Sequence, residues 1–584
     1  MMLHNSHLPF FRTPAGPAAA GSTVTIRFLS DEAISVVLRT WVDDERAYPM
    51  LRDGDTWSYE ITLPSKTGLL WYDFIVYLPD GKVIKYGSPS DGLGGEGQIL
   101  TDGLHSFQIT IYNESFRTPA FMHGATIYQI FPDRFRKAPT KAVDTRTNRR
   151  FQEWDEDLMI KPDPKCMDNC VNNFYGGTLT GIIEKLPYLH DLGVEILYLN
   201  PIFEAYSNHR YDTGDYTKID SLLGTQEEFD ELCTKADALG MHILLDGVFS
   251  HTGEDSIYFN DYNHYPEKGA YQGKDSRYYD WFTFEHFPDK YRCWWGFKNL
   301  PEVRKDNPEY QHFMFNDENG IVPSWIRRGA CGWRLDVADE LPMDFLRKLR
   351  QAAKKARRDA VVLGEVWEDA SNKIAYNEMR CYCTGDTLDS VMNYPLRTGI
   401  LDFVSGKAPA EKLVRLIRHQ AEVYPVQFQY SLMNLLGSHD RSRALNALLG
   451  LEGEGMTKAE QRAMRLTPEQ YATAVKRYKT CLDLLCALPG CPTVYYGDEA
   501  GMTGTPDPFC RRPYPWGKED TELQKYVQAR LNHRRRSHVL RYGKCEVEAP
   551  DQDTVRIRRF FDGHDAFGRK APAHTEEVFT IRRS

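Results

Sequence analysis

The chain of 584 residues has no run of the ~18 uninterrupted apolar residues that a membrane span needs, and no low-complexity tract or short-period repeat. It has no surplus of positive charge either: 72 Lys and Arg stand against 82 Asp and Glu, a net −10. Membrane-protein, fibrous and nucleic-acid-binding classes are therefore disfavoured, because polyanion ligands are met by a basic face. The triplet Arg534-Arg535-Arg536 reads instead as a solvated helix face. The N-terminus, "MMLHNSHLPFFRTPAGPAAAG", lacks the basic n-region of a secretory signal, and Arg12 and Pro14 break its short apolar run. None of the twelve cysteines has a recognisable zinc partner pair, Cys166-x3-Cys170 and Cys381-x-Cys383 included. Reduced thiols and a cytoplasmic protein are the expectation.

What the chain does have is aromatics, 12% of residues with 33 Tyr and 11 Trp. Most will be core, although such side chains also suit ligands with flat apolar faces and polar edges. Residues 22–112 alternate in short segments ("STVTIRFL", "ISVVLRTWV", "TWSYEITLP"), with a hairpin cue at "PDG" (79–81). They predict a β-sandwich within an N-terminal domain over 1–120. From 125 onward, eight β-branched runs alternate with helical stretches: 125–131, 194–203, 241–251, 331–339, 360–367, 388–396, 430–440 and 492–499. That is the grammar of a (β/α)8 barrel of the α/β class over 121–540. The Tyr- and Trp-rich stretch at about 252–325 reads as an excursion, an inserted domain between strands three and four. Residues 541–584 read as a small β domain. Gly193 and Gly240, each just past an apolar helical periodicity, read as C-caps.

In a barrel, polar residues at the carboxyl ends of the strands face the functional mouth. Asp246 and His251 close run three, Arg334 and Asp336 lie in run four, Glu365 in run five, and His439 and Asp440 end run seven. Any one of them reads equally well as a structural ion pair or cap. Three carboxylates and a guanidinium converging from three strands are harder to explain that way.

The segments "DGVFSH" (246–251), "GWRLDVADE" (332–340), "GEVWE" (364–368) and "LLGSHD" (435–440) resemble, in order and spacing, the four sequence regions of the α-amylase family, glycoside hydrolase family 13. "YQIFPDRF" (128–135), "LYLNPIF" (197–203) and "HRYDTGDY" (209–216) are similar to its neopullulanase, cyclomaltodextrinase and maltogenic amylase branch.

The resemblance implies a retaining glycosidase acting on α-glucans, with Asp336 as nucleophile, Glu365 as general acid/base and Asp440 as the third carboxylate. A carboxylate ~5–5.5 Å from a carboxylic acid suits that chemistry. Arg334, two residues from Asp336 on the same strand face, should favour its charged form, while Glu365 must hold a proton to donate. The resemblance further implies sugar-binding roles for Tyr211, Asp246, His251, His439, Trp367 and Glu340. No cofactor is implied and no metal ligands are expected, since Ser250 stands where many members place a calcium-binding Asn. Asp339 replaces a usual Asn, Arg441 a common Thr, and "FKNLP" (297–301) the branch's "MPKLN". A homodimer through the N-terminal domain is an expectation of the same likeness, and a transglycosylase or a non-catalytic glucan-binding protein would be the alternatives.

Overall fold

The computed structural model describes every residue except 102, 104, 145–149, 160–172 and 584, and the Arg150 side chain. The pair Cys166 and Cys170 lies outside the described residues. The other ten cysteines are unpaired thiols, most of them buried.

Eight parallel strands form one sheet: Ile127–Ile130, Ile196–Leu199, His242–Gly247, Ala330–Leu335, Val361–Gly364, Ser390–Val391, Met433–Leu435 and Cys491–Tyr495. Each of the eight predicted runs supplies one. Their spatial order is 6-5-4-3-2-1-8-7, and a parallel bridge between Met392 and Met433 joins the two ends into a nearly closed barrel. Side chains alternate about each strand. Ile127, Ile196, Leu244, Val361, Leu363, Met433 and Leu435 fill the lumen, while their neighbours pack outward under the helices.

Strand four departs from this alternation. Its pairing with strand three slips between Ile243 and Leu244, so Ala330 faces Ile243 and Gly332 faces Leu244, with Cys331 as the extra residue. Such a bulge re-aims everything after it. Beyond it Arg334 lies opposite Asp246 and Leu363, on the lumen side. Gly332 pays for the bend with φ +150°, and a Cβ there would lie 2.0 Å from the Val361 carbonyl oxygen, so only glycine fits.

The helices obey their local signals. Leu179–Leu192 starts on Thr178, whose hydroxyl accepts from Gly181 N, and ends on Gly193 at φ 103°. Gln226–Ala238 opens with a capping box of Thr225 and Glu228, and Gly240 follows it at φ 70°. Between strands three and four the chain runs through short turns and a small hairpin (Phe284–His286 with Lys290–Tyr291) around Phe259 and Phe282, then through helices Pro308–Phe315 and Ile321–Arg327. The second helix packs on strand four and on helix Met343–Ala356.

The N-terminal segment forms two antiparallel-rich sheets around one apolar core that includes Ile26, Phe28, Leu38, Phe74 and Phe107. The predicted hairpin is there: Val83 pairs with Tyr77 around Gly81 at φ 82°. The sheets begin earlier than residue 22, because Met2–Leu3 and Arg12–Thr13 pair with Thr23–Ser30. Arg12 is fully buried and donates to the Gln108 carbonyl and to Glu422 on barrel helix Ala410–Val423, which ties the sandwich to the barrel. At the other end Lys544–Asp551, Thr554–His564 and Lys570–Arg582 make a three-stranded antiparallel sheet.

The expectation of a solvated Arg534–Arg536 face is overturned at Arg534. Helix Thr521–Arg536 runs beneath the barrel, and Arg534 has no exposed surface. Its guanidinium donates to the carbonyls of Gly124, Cys486, Leu488 and Gly490 at 2.7–3.2 Å. Those carbonyls precede strands one and eight, where strand hydrogen bonding has not begun, and Arg534 satisfies them. Arg536 is exposed and Arg535 half-buried, as a helix face requires.

Candidate active site

At the carboxyl end of the barrel one cation holds three acids. Arg334 Nη1 donates to Asp246 Oδ1 at 2.8 Å and to Asp336 Oδ1 at 3.0 Å, and its Nη2 lies 2.9 Å from Glu365 Oε2. Strands three, four and five are consecutive neighbours, so residues at equal height on the lumen side meet. Asp336 and Glu365 follow directly on strands four and five.

The residue after Asp336 is strained. Val337 has φ 38°, ψ 61°, a left-handed conformation that a β-branched side chain rarely takes. The result is that its N–H points at Glu365 and donates to Oε2 at 2.8 Å. Trp367 Nε1 donates to Oε1 at 3.1 Å, so both oxygens of Glu365 are fixed. Trp367 lies flat on Tyr394, centroids 4.1 Å apart and planes 2° apart, and Arg441 lies over the same indole.

Around Asp246 sits a hydroxyl and imidazole network. Tyr198 and Tyr211 donate to Asp246 Oδ2 at 2.6 and 2.8 Å. Gln129 Nε2 lies 2.9 Å from His439 Nδ1, and Tyr211 Oη lies 2.6 Å from His439 Nε2, with the two rings stacked 3° from parallel. Burial and the nearby Arg511 and Arg334 push His439 well below its usual pKa, so its ring is neutral. With Gln129 donating to Nδ1, the proton sits on Nε2, aimed at Tyr211 and at Asp440 Oδ1, 3.3 Å away. His251 has both ring nitrogens engaged, by Ser250 Oγ at 2.9 Å and by the Tyr211 carbonyl at 3.1 Å, and burial lowers its pKa to about 3.

The carboxyls are crowded, and their protons belong to the group. Burial is the largest influence on Asp336 and lifts it well above the usual carboxylate range; Arg334 pulls the other way, as expected, but Glu365, Asp246 and Asp440 add to the lift. Asp440 is raised to about 7 by burial and by Glu365, against Arg511 and Arg334. Asp246 is raised by burial despite Arg334 and its two tyrosines. One guanidinium cannot offset the burial and crowding here, so Asp336, Asp440 and Asp246 hold their protons more tightly than isolated carboxylates.

These contacts bring together Tyr211, Asp246, His251, Arg334, Asp336, Glu365, Trp367, His439 and Asp440, all singled out from sequence. Glu340 ends the turn Ala338–Glu340. Sequence reasoning missed Gln129, Tyr198 and Asn200, which accepts from Gln129 Nε2 and donates to the Tyr211 hydroxyl, both at 3.0 Å, although period-two alternation in "YQIFPDRF" and "LYLNPIF" puts them on the lumen face. It also missed Tyr394, the first residue of helix Tyr394–Ser405, and Arg511, in the turn Phe509–Arg511, which come from after strands six and eight.

The family model described as "Alpha amylase, catalytic domain" matches residues 129–543. The chain belongs to the α-amylase family. It is 38% identical to an amylopullulanase of Thermoanaerobacterium saccharolyticum over all of this chain, which spans 48% of that relative's length. It is 33% identical to neopullulanase 2 of Thermoactinomyces vulgaris, over 82% of this chain and 73% of that one. Among solved structures, a cyclic alpha-maltosyl-(1→6)-maltose hydrolase from Arthrobacter globiformis superposes with TM-score 0.63 at 33% identity, covering 76% of this chain and 90% of that chain. Other relatives carry the names cyclomaltodextrinase and maltogenic alpha-amylase, in keeping with the branch that the motifs resemble. Among the described residues no helix is long and apolar enough to cross a membrane.

Proposed function

We propose that the chain is a retaining α-glucan hydrolase, cleaving α-1,4 and also α-1,6 glucosidic bonds in maltodextrins, cyclodextrins, pullulan or starch. The observation that carries this reading is the single guanidinium of Arg334 holding Asp336 and Glu365 side by side at the barrel mouth. Asp336 attacks the anomeric carbon while Glu365 protonates the departing oxygen. Water, deprotonated by Glu365, then releases the glycosyl group from Asp336. Asp440 and His439 hold hydroxyls of the distorted ring, Tyr211 offers it a face, and Asp246 and His251 fix those partners. No cofactor is needed, and Ser250 spends its hydroxyl on His251. The α-1,6 component is supported by the relatives named for pullulan and for a (1→6)-linked maltoside.

The test is product analysis on pullulan, γ-cyclodextrin and soluble starch, with Glu365→Gln as control. Panose from pullulan, with cyclodextrin cut faster than starch, supports the reading; starch cut fast with pullulan untouched removes its α-1,6 part. Transglycosylation uses the same residues, and product ratios at high maltooligosaccharide concentration measure its share. A cytoplasmic location is part of the proposal, supported by the ten unpaired thiols. So is a homodimer through the N-terminal sandwich, to be tested by light scattering on the intact chain.

A further inference from the structure

The sandwich strand Phe107–Tyr112 alternates in an unusual way. Phe107, Ile109 and Ile111 enter the sandwich core, while Gln108 and Thr110 face the opposite side. Both polar residues are buried all the same, Gln108 at 5% exposure, because that side meets the barrel. A buried side-chain amide is costly unless its donors and its acceptor are paired. Here the partners come from the segment that follows Glu365. Gln108 Nε2 donates to Ser371 Oγ at 2.9 Å and to Thr110 Oγ1 at 3.0 Å, and its Oε1 accepts from Asn372 Nδ2 at 2.7 Å.

A second grip on the same segment comes from helix Ala410–Val423 and the residue after it. Asp369 accepts from His419 Nε2 at 2.8 Å, from the Tyr424 hydroxyl at 2.9 Å and from the Ser371 N–H at 2.8 Å. The Tyr424 oxygen in turn accepts from the Ala370 N–H at 3.0 Å. Burial pushes Asp369 up, but the hydrogen bond and charge of His419, together with Ser371, outweigh it and bring it to about 2. Burial also works against the His419 proton, and Asp369 outweighs it there too, so the two form an ion pair. Arg12 fixes the two grips relative to each other, since it donates to the Gln108 carbonyl and to Glu422, one turn past His419.

We propose that Gln108 of the sandwich and the Asp369–His419 pair are positioning residues for Glu365, acting through Trp367 to aim the oxygen that protonates the leaving group. This rests on the α-glucan reading above. The backbone of Glu365 is held on strand four, its N–H by the Leu335 carbonyl and its carbonyl by the Ala338 N–H. Its carboxyl is held differently at each oxygen. Oε2 accepts from the Val337 N–H and lies 2.9 Å from the Arg334 guanidinium, so the transferable proton sits on Oε1. The donor that orients Oε1 is Trp367 Nε1, at 3.1 Å. Trp367 stands two residues before Asp369, and the clamp on Asp369, Ser371 and Asn372 sets where its indole can lie. The sandwich thus reaches the chemistry without touching the substrate.

The experiment compares maltohexaose, whose departing oxygen needs a proton, with α-maltosyl fluoride, whose fluoride leaves without one. The variants are Gln108→Leu, which removes the amide, and Asp369→Asn, which keeps the shape and removes the charge. On maltohexaose kcat and kcat/KM are expected to fall together by about ten- to a hundredfold, the range that a small misplacement of a reacting group produces, with KM within about twofold. On the fluoride kcat/KM should stay within about twofold, because that constant reports only the step that forms the glycosyl-enzyme. Asn372→Ala, at a half-buried position, removes a single bond of the clamp and carries the test if Gln108→Leu does not fold; a several-fold loss on maltohexaose alone is expected. Equal losses on the two substrates, a rise in KM alone, or no loss on maltohexaose overturns the clamp. If the unaltered chain turns over neither substrate, the α-glucan reading itself fails, and the clamp with it.

Discussion

Arg334, at the carboxyl-end mouth of the barrel, and Arg534, beneath its amino end, are both without exposed surface. Arg334 is surrounded by carboxylates, Asp246, Asp336 and Glu365; burial works against its proton, but Asp246, Tyr198 and Glu365 outweigh it and hold that proton far more tightly than usual. Among the described residues Arg534 meets no carboxylate. It spends its donors on four backbone carbonyls, and burial together with nearby Arg559 loosens its proton instead. One guanidinium therefore sets electrostatics for chemistry, while the other serves as a fork of donors that closes the barrel floor. The same side chain at equal burial does different work because the two ends of a barrel present different partners, acids at one and unpaired carbonyls at the other.

The sharpest way to break this comparison is at the acids. Asp336→Asn should lower kcat on maltohexaose by about 10⁴-fold or more, as loss of a nucleophile does, with little change in melting temperature. Next comes the cation itself. Arg334→Met leaves three acids without their counter-charge, so activity should fall by roughly 10³-fold and stability by about 3–5 kcal/mol, read by steady-state kinetics and urea unfolding.

Arg534→Met sharpens the contrast from the other side. It strands four buried carbonyls, and unfolding should become easier by about 2–3 kcal/mol, while kcat/KM at 25 °C stays within about twofold. A large kinetic defect in that folded variant would erase the distinction between the two ends.

The smallest effect concerns pH. Asp440 has a folded-state pKa of about 7, raised above its unfolded value. A group raised in this way binds more protons in the folded state, so its stabilising contribution is full below the unfolded value and is lost as pH rises through about 7. Asp440→Asn should therefore be more stable than the unaltered chain at pH 8 by roughly 1 kcal/mol and gain little at pH 4, as measured by thermal unfolding across that range.

Much of this was legible in the chain. Eight β-branched runs separated by capped helices specify the barrel, because fully buried parallel strands must be apolar throughout. Against that background Asp246, Arg334, Asp336 and Glu365 stand out as charges converging from three neighbouring strands. What stayed hidden depends on long-range contacts. Within Arg534-Arg535-Arg536 the sequence does not reveal which arginine the helix turns inward, since its partners are carbonyls near residues 124 and 490. The bulge at Cys331 and the strain at Val337 arise from pairing between strands. The raised state of Asp336 could not be foreseen from Arg334 two residues away, because Glu365 and burial outweigh that neighbour.

The most direct test of the central claim is to trap the covalent intermediate. Glu365→Gln, incubated with α-maltosyl fluoride, can form the glycosyl-enzyme without acid assistance but lacks the base that releases it. Mass spectrometry of the digested protein should then show one maltosyl adduct, on the peptide that carries Asp336. Turnover with no adduct, or an adduct on any other carboxylate, would contradict the assignment of Asp336 as the nucleophile that Arg334 holds in place.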